Sequence, residues 1–186
     1  MKRKEFFNYG DIHMGKRLLI LGAGGHGKVV QEVALSLLDI DGKPLYEIVD
    51  FLDDNSKEAI GKMADFEKYK YEYQEAFCGI GNNTIRKQLL EQAEKLGYTV
   101  PVLIHPSAYV SKSAVIEAGT VVEPKAIVNA NTIIHRGSII SIGAIVDHDA
   151  VVGEYVHVNT GAIIKAGAIV EGGRKLEAGE VVLGYG

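Results

Sequence analysis

The sequence predicts two folded parts, a short α/β unit with a parallel sheet followed by a β-helix built from six-residue repeats. Strand-like and helix-like segments alternate between residues 17 and 101, and a hexapeptide period runs through residues 102–186. The chain has 186 residues, of which 47% are hydrophobic and 24% are charged. These values are typical of a folded chain and exclude a largely disordered one.

Charge and cysteine content narrow the functional classes. The net charge of -4 gives no general attraction for nucleic acid or an anionic membrane, so we expect neither partner. The single cysteine, Cys78, cannot form an internal disulfide, and no Cys/His spacing is typical of a zinc site. We therefore expect a cytoplasmic protein without a metal. We find no signal-peptide pattern or membrane-spanning run, and residues 1–16 are interpreted as an N-terminal extension.

The α/β unit, residues 17–101, is predicted from alternating segments. Strands are expected at 17–21, 48–52, 76–80 and 99–104, and helices at 29–38 and 84–96. Such alternation favours parallel strands, whose ligands bind at the carboxyl ends of the strands. The loops 22–27, 53–54 and 81–83 meet at that end.

These loops supply the first candidate binding residues. Residues 22–27 match G-x-G-x-x-G between a strand and a helix, where backbone N–H groups can face a phosphate. The alternative is a glycine-rich connection that packs strand against helix. Asp53 and Asp54 either accept hydrogen bonds from a ribose or base edge, or form a solvated turn. The candidate binding set in these loops is Gly24, Gly25, His26, Asp53, Asp54, Gly81 and Asn82.

The β-helix is predicted from spacing alone. Every sixth residue from Ile104 to Val182 is Val, Ile or Leu, a period that fits neither a helix nor simple strand alternation. The fourth residue after each of these is mostly small, and the third is often glycine, which suits a turn. Arg174, Lys175 and Glu180 depart from the pattern near the end of the chain.

Five motifs carry a resemblance to a known family. They are Gly22-Ala23-Gly24-Gly25-His26-Gly27, Phe51-Leu52-Asp53-Asp54, Gly79-Ile80-Gly81-Asn82-Asn83 with Arg86, Leu103-Ile104-His105-Pro106, and Val146-Asp147-His148-Asp149 with His157. In this order they resemble the hexapeptide-repeat sugar acyltransferases, in the branch of PglD-like UDP-4-amino-sugar N-acetyltransferases and NeuD-like sialic acid O-acetyltransferases.

The resemblance implies a left-handed parallel β-helix, a homotrimer with active sites between neighbouring chains, and acetyl-CoA as donor. It implies that the N-terminal unit binds a nucleotide sugar, that His148 is the general base, and that Asp149 orients it. An imidazole is the side chain best suited to accept a proton near neutral pH. From the residues alone Asp147 could serve as well as Asp149.

Three further residues are assigned to the site. His157 replaces an aliphatic residue of the repeat, so it is either a partly buried structural histidine or a substrate contact. Ala166 lies one coil after His148, and its backbone N–H could donate to the thioester oxygen. Together with Gly167 it forms the predicted cofactor-binding position.

The predicted function is acetyl transfer from acetyl-CoA to the amino group of a nucleotide-linked amino sugar. One alternative is O-acetylation of sialic acid or another sugar. A second is a noncatalytic nucleotide-sugar-binding trimer with a truncated donor site, because only 38 residues follow His148 and the repeat weakens there.

Overall fold

The computed structural model describes residues 15–185, so residues 1–14 of the predicted extension lie outside it. The N-terminal unit contains β1 (Lys16–Leu21), α1 (Gly25–Leu35), β2 (Tyr46–Leu52), a 3-10 helix (Met63–Tyr69), β3 (Glu75–Cys78) and α2 (Asn83–Lys95). The three strands form a parallel sheet in the order β2-β1-β3. Leu18 to Leu21 of the central strand β1 are fully buried, as expected where both faces of a parallel sheet are covered.

Helix α1 begins four residues earlier than the sequence predicts. Gly24 is extended and precedes the first turn, and the Lys28 N–H donates to its carbonyl at 3.0 Å. Glycine is a weak helix former, which is why the sequence pattern placed the start later. The earlier start places His26 in the first turn of α1 and not in the preceding loop.

The predicted strand 99–104 is divided between the two parts of the chain. Thr99 makes a single parallel bridge to Glu75, while Leu103–Ile104 forms β4, the first strand of the β-helix. Pro101 lies between them and has no N–H to continue a sheet ladder. The predicted domain boundary at residue 102 falls in this connection and stays a prediction.

The β-helix has three faces of short parallel strands, which confirms the predicted fold class. Face 1 contains β4, β7 (Val121–Val122), β10 (Ile139–Ile140) and β13 (His157–Val158). Face 2 contains β5 (Tyr109–Val110), β8 (Ile127–Val128), β11 (Ile145–Val146), β14 (Ile163–Ile164) and β16 (Val181–Val182). Face 3 contains β6 (Val115–Ile116), β9 (Ile133–Ile134), β12 (Val151–Val152) and β15 (Ile169–Val170). Paired strands are eighteen residues apart, one full coil.

The repeat phase decides which residues point inward. The second residue of each strand belongs to one continuous core, with small residues such as Ala126, Ala144 and Ala162 between them. Leu176 keeps this position, fully buried, although its coil has only a bridge between His157 and Lys175. Arg174 and Glu180, which break the repeat pattern, hydrogen-bond to each other.

One turn position repeats with a left-handed backbone. From Gly119 to Gly179 the third residue after each inward position has positive φ, and it is glycine except at Lys125, Asn131, Asp149 and Tyr155. A non-glycine residue in this conformation costs roughly 1–3 kcal/mol and often marks a functional position. Asn131 and Asp149 lie in the same turn column, one coil apart.

The N-terminal unit packs on face 1 of the β-helix. The outward residues Leu103, Val121 and Ile139 of that face are buried in a core shared with α1 and the parallel sheet. Three of the four outward residues on face 3 are exposed, among them Ile169 at 72%. The next outward positions on face 1 are His157 and Lys175, so these lie beneath the loops of the N-terminal unit. Among residues 15–185 no helix is long and apolar enough to cross a membrane.

Candidate functional site

The loops after β1 and β3 meet where the strand order reverses, the usual ligand position in an open parallel sheet. They touch because their glycines lack side chains. A Cβ on Gly27 would lie 2.1 Å from the Gly22 carbonyl oxygen, and one on Gly79 would lie 2.6 Å from it. Gly24 and Gly25 differ, since a Cβ on either would meet no atom within 4 Å. The motif therefore has a packing part and a part that borders open space.

His26 lies at this junction and contacts the β-helix. Its Nδ1 is 3.4 Å from Oε1 of Glu123, a residue of face 1 whose side chain is only 6% exposed. The other carboxylate oxygen of Glu123 accepts the Ile142 N–H at 3.0 Å. Within the described residues His26 Nε2 is buried without a hydrogen-bond partner. One ring nitrogen of His26 therefore faces a buried carboxylate, and the other is buried without a hydrogen-bond partner.

His157 lies beside His26, with 6.3 Å between the ring centroids. Its Nε2 is 3.2 Å from Ser141 Oγ, and a Cβ on Gly81 would lie 3.8 Å from its Cε1. Burial, followed by the nearby charges of His26, Arg86 and Lys175, lowers the pKa of His157 to about 4. The ring is consequently neutral at physiological pH and suits hydrogen bonding better than proton uptake.

Glu123 and Ser141 are members of this cluster that the sequence did not identify. Each follows an inward residue of face 1, but polar residues follow inward residues on all three faces. The sequence therefore holds no signal that distinguishes them. They become distinct only because the N-terminal unit covers face 1.

Asp53 organises the glycine-rich loop. One carboxylate oxygen accepts the Ala23 N–H at 2.9 Å, and the other accepts the N–H groups of Asn55 and Ser56. These backbone hydrogen bonds, with that of Ala23 the largest, lower the pKa of Asp53. Asp54 accepts the Met63 N–H at 3.1 Å. Both residues hold turns in this structure, and a direct contact of either with substrate stays a prediction.

Asn82 and Arg86 fix the loop after β3. The Asn82 side chain accepts the Ile85 N–H at 3.0 Å and so caps α2. Arg86 is 1% exposed and donates to the carbonyls of Gly81, Gly137 and Tyr155. Within residues 15–185 no carboxylate is among its hydrogen-bond acceptors, and burial lowers the pKa of Arg86 to about 10. Arg86 thus connects the Gly81 loop to two turns of the β-helix.

The second group of predicted residues surrounds His148, on the turn between β11 and β12. His148 Nδ1 lies 2.8 Å from Asp149 Oδ2, and this hydrogen bond raises the pKa of His148. Asp147 is used differently, since its Oδ1 accepts the backbone N–H of His148 at 2.7 Å and an amide N–H of Asn129 at 3.0 Å. Asp149 is therefore the acid that faces the ring. His148 Nε2 has no partner among residues 15–185.

Ala166 and Gly167 lie one coil after this pair. The Gly167 N–H donates to the His148 carbonyl at 3.0 Å, and the Tyr185 N–H donates to the Ala166 carbonyl at 3.1 Å. The Ala166 N–H has no acceptor in the described part of the chain. A Cβ on Gly167 would lie 2.1 Å from the Tyr185 ring, so Gly167 is covered within its own chain. Of the two, Ala166 keeps the available donor.

The structure does not bring the two groups of predicted residues together in one chain. His148 lies on the edge between faces 2 and 3, whereas His26, Gly81 and His157 lie at face 1. In a three-sided coil that edge is opposite face 1. No cluster of three or more His, Cys, Asp or Glu side chains suited to a metal ion occurs within residues 15–185.

Sequence comparison places the N-terminal unit in a described family. Residues 17–93 match the PglD N-terminal domain. The UDP-N-acetylbacillosamine N-acetyltransferase of Bacillus subtilis (strain 168) is 34% identical over 110 residues, which cover 53% of this chain and 47% of that protein. The chain therefore matches about half the length of this curated relative.

Solved structures match nearly the whole chain. The acetyltransferase domain of PglB from Neisseria gonorrhoeae FA1090 is 33% identical with a TM-score of 0.82, covering 91% of this chain and 92% of that one. The same domain in complex with acetyl coenzyme A is 35% identical with a TM-score of 0.78 over the same shares. PerB from Caulobacter crescentus, in complex with CoA and GDP-perosamine, is 26% identical with a TM-score of 0.75, covering 92% and 90%.

Proposed function

The chain belongs to the PglD-like family of hexapeptide-repeat sugar acyltransferases, and we propose that it transfers an acetyl group from acetyl-CoA to the amino group of a nucleotide-linked amino sugar. The observation that carries the proposal is the His148–Asp149 pair, which leaves Nε2 open on a turn of the β-helix. The Bacillus subtilis relative is named an N-acetyltransferase, which favours this function over O-acetylation, and the PglB domain binds acetyl-CoA, which supports that donor.

The pair suits a general-base mechanism. As the amine nitrogen attacks the thioester carbon, a C–N bond forms, and the amine proton passes to His148 Nε2. Asp149 keeps the Nδ1 proton in place and stabilises the imidazolium. The C–S bond then breaks, and the departing thiolate takes this proton from the imidazolium, which gives free CoA and neutral His148. The open Ala166 N–H suits stabilisation of the thioester oxygen during attack.

We propose that the acceptor binds at the face 1 cluster, the group formed by His26, Gly81, Glu123, Ser141 and His157. Gly24 and Gly25 border open space at the N-terminus of α1, where backbone N–H groups favour phosphate. His26 Nε2, which is buried without a partner among the described residues, and the neutral ring of His157 lie beside this loop, and we expect them to hydrogen-bond the sugar phosphate. The noncatalytic alternative is disfavoured, because the PglB domain that this chain matches over 92% of its length holds acetyl-CoA.

A homotrimer would complete the site. Faces 2 and 3 expose apolar outward residues, including Tyr109, Val115 and Ile169 at 58%, 53% and 72%, and such patches mark association surfaces. Closed threefold packing would bring His148 of one chain to the face 1 cluster of its neighbour. We expect light scattering to give three times the 20.1 kDa of one chain. A monomeric mass at assay concentration would contradict the trimer.

Since acetyl-CoA and nucleotide sugars are made in the cytoplasm, we propose that the protein is cytoplasmic.

The direct test measures CoA thiol release from acetyl-CoA with a panel of UDP- and GDP-linked amino sugars and with sialic acid. Release with one nucleotide amino sugar, and an amide-linked acetyl group in the product, is the expected result. An ester product would assign the O-acetyltransferase alternative instead. Absence of release with every acceptor, from folded protein, would overturn the proposed function.

Asp149→Asn tests the role of the carboxylate. His148 must be unprotonated to act as base, so activity falls as the pH drops through its pKa. Asp149 raises that pKa, so the asparagine variant should move the acidic limb of kcat/KM to lower pH. We expect kcat to fall by at least 100-fold, because an amide favours the wrong imidazole tautomer. Asp147→Asn is the matched comparison: the charge of Asp147 also raises the pKa of His148 but makes no hydrogen bond to the ring, so this variant should move the acidic limb less than Asp149→Asn and change kcat by less than about threefold. An unmoved acidic limb in Asp149→Asn would contradict this role.

His157 should affect acceptor binding without affecting the pH profile. Its pKa of about 4 lies below the assay range, so it does not titrate there. We expect His157→Phe to raise the acceptor KM about tenfold, the value of one hydrogen bond to a charged group. His157→Gln, which retains a donor for Ser141, should raise it less. A shift of the acidic limb in either variant would show that His157 takes part in proton transfer.

A further inference from the structure

A column of hydrogen bonds runs along the β-helix to the His148–Asp149 pair. Ser113, Asn131 and Asp149 occupy the same turn position in successive coils, eighteen residues apart. Ser113 Oγ accepts the backbone N–H of Asn131 at 3.0 Å, and Asn131 Nδ2 donates to Asp149 Oδ1 at 3.1 Å. The remaining oxygen of Asp149 contacts His148 Nδ1 at 2.8 Å.

We propose that Asn131 is a positioning residue that sets the orientation of the Asp149 carboxylate, and through it the imidazole of His148. This inference rests on the proposed function of the pair. The Asp149 side chain is 42% exposed, so surrounding packing does not fix its rotamer. Its two oxygens are instead fixed separately, one by the Asn131 amide and one by the ring.

The backbone supports this assignment. Asn131 and Asp149 have φ of 56° and 58°, a conformation that most turns of this helix assign to glycine. Asparagine tolerates the conformation better than most side chains, but at a cost that glycine avoids. The amide contact to Asp149 is a physical reason for a side chain at residue 131.

Asn129 and Asp147 form a neighbouring asparagine–aspartate pair, but this pair contacts the backbone of His148 and not its ring. Asn129 Nδ2 donates to Asp147 Oδ1 at 3.0 Å, and that oxygen also holds the His148 backbone N–H. The two asparagines of one coil thus fix the two acids of the next. Asp147 is held against the backbone N–H of His148, and Asp149 is held against its imidazole ring.

A neutral donor suits this position. The Asn131 amide holds the carboxylate without cancelling its charge, so Asp149 still stabilises the imidazolium. The other charged or titratable groups on this edge are Asp147 on the same turn, Lys112 two coils before it, and Lys165 and Tyr185 in the coils after it. The variants of Asn131 leave all four of these groups unchanged, so a change in the pKa of His148 can be assigned to residue 131.

The test replaces Asn131 with glycine, which keeps the left-handed turn and the N–H donated to Ser113 but removes the amide. We expect kcat to fall about tenfold through loss of orientation, with both KM values within about twofold. The pKa of His148, read from its imidazole NMR signal, should fall. In Asn131→Asp a second carboxylate faces the pair, and the pKa of His148 should rise.

Lys125→Gly is the matched control. Lys125 also has positive φ, at 62°, and its N–H donates to Ser107 Oγ as that of Asn131 does to Ser113. It lies on the turn between faces 1 and 2, away from His148. This variant should leave kcat and the pKa of His148 unchanged.

The outcomes separate this inference from the proposed function. A wild-type pKa of His148 in folded Asn131→Gly overturns the positioning role, whether or not the protein transfers acetyl groups. A lowered pKa in a protein without transferase activity keeps the positioning role and overturns the function. Equal shifts in Asn131→Gly and Lys125→Gly would also overturn the inference, since both would then reflect the turn backbone.

Discussion

Replacing His148 with alanine should lower kcat for acetyl transfer by about 10² to 10⁴, the range that general-base catalysis contributes. The side chain is nearly half exposed, and its one side-chain hydrogen bond within the described residues is to Asp149, so its loss leaves the β-helix core intact. The acceptor KM should change little. Steady-state thiol release at saturating substrates measures the effect.

His135→Ala is the matched control for this prediction. His135 also pairs with an acid, Glu117, at 3.1 Å and is 38% exposed, but it follows β9 on face 3 instead of lying at the predicted site. It should retain wild-type kcat. If His148→Ala kept activity within a few-fold of wild type, His148 would not be the base, and a loss in His135→Ala would move the site to that pair.

Replacing Arg86 with methionine should have the largest effect on stability. Arg86 donates to carbonyls from Gly81, Gly137 and Tyr155, so its removal leaves buried acceptors on both parts of the chain without partners. Each such acceptor costs about 1–3 kcal/mol, partly offset because a buried charge is also removed. We expect a loss of about 2–5 kcal/mol in the free energy of unfolding, measured by urea denaturation.

Arg136→Met is the control for a surface contact between the same two parts. Arg136 pairs with Glu94 of α2 at 2.7 Å, and these side chains are 30% and 41% exposed. Exposed ion pairs contribute about 1 kcal/mol or less. If Arg86→Met lost no more stability than Arg136→Met, the buried guanidinium would not be what joins the N-terminal unit to the β-helix.

The fold was largely predictable because the spacing of the repeat alone indicates a β-helix. A strict six-residue spacing of Val, Ile and Leu leaves one consistent inward phase, and the structure places those residues in a single core. The start of α1 and the strand after Thr99 were predicted wrongly. In both places contacts with distant segments outweighed local residue preferences. At the start of α1 the distant segment is the loop after β3, and after Thr99 it is the first coil of the β-helix.

The candidate site was only partly predictable. The sequence identified His148, but it could not choose between its two neighbouring acids, because that choice depends on the asparagines one coil earlier. Glu123 and Ser141 had no distinguishing pattern. His157 was identified as an exception to the repeat, yet its depressed pKa follows from burial beneath the N-terminal unit. Such effects require knowledge of which face the first part of the chain covers.

The glycine-rich loop has a consequence for redesign of this protein. Gly27 and Gly79 are fixed by a backbone oxygen that leaves no room for a methyl group, whereas Gly24 and Gly25 border empty space. A library that varies the first pair should yield misfolded chains, and one that varies the second pair should yield folded chains with a narrowed cleft. Acceptor preference could therefore be altered at Gly24 and Gly25 without loss of the scaffold.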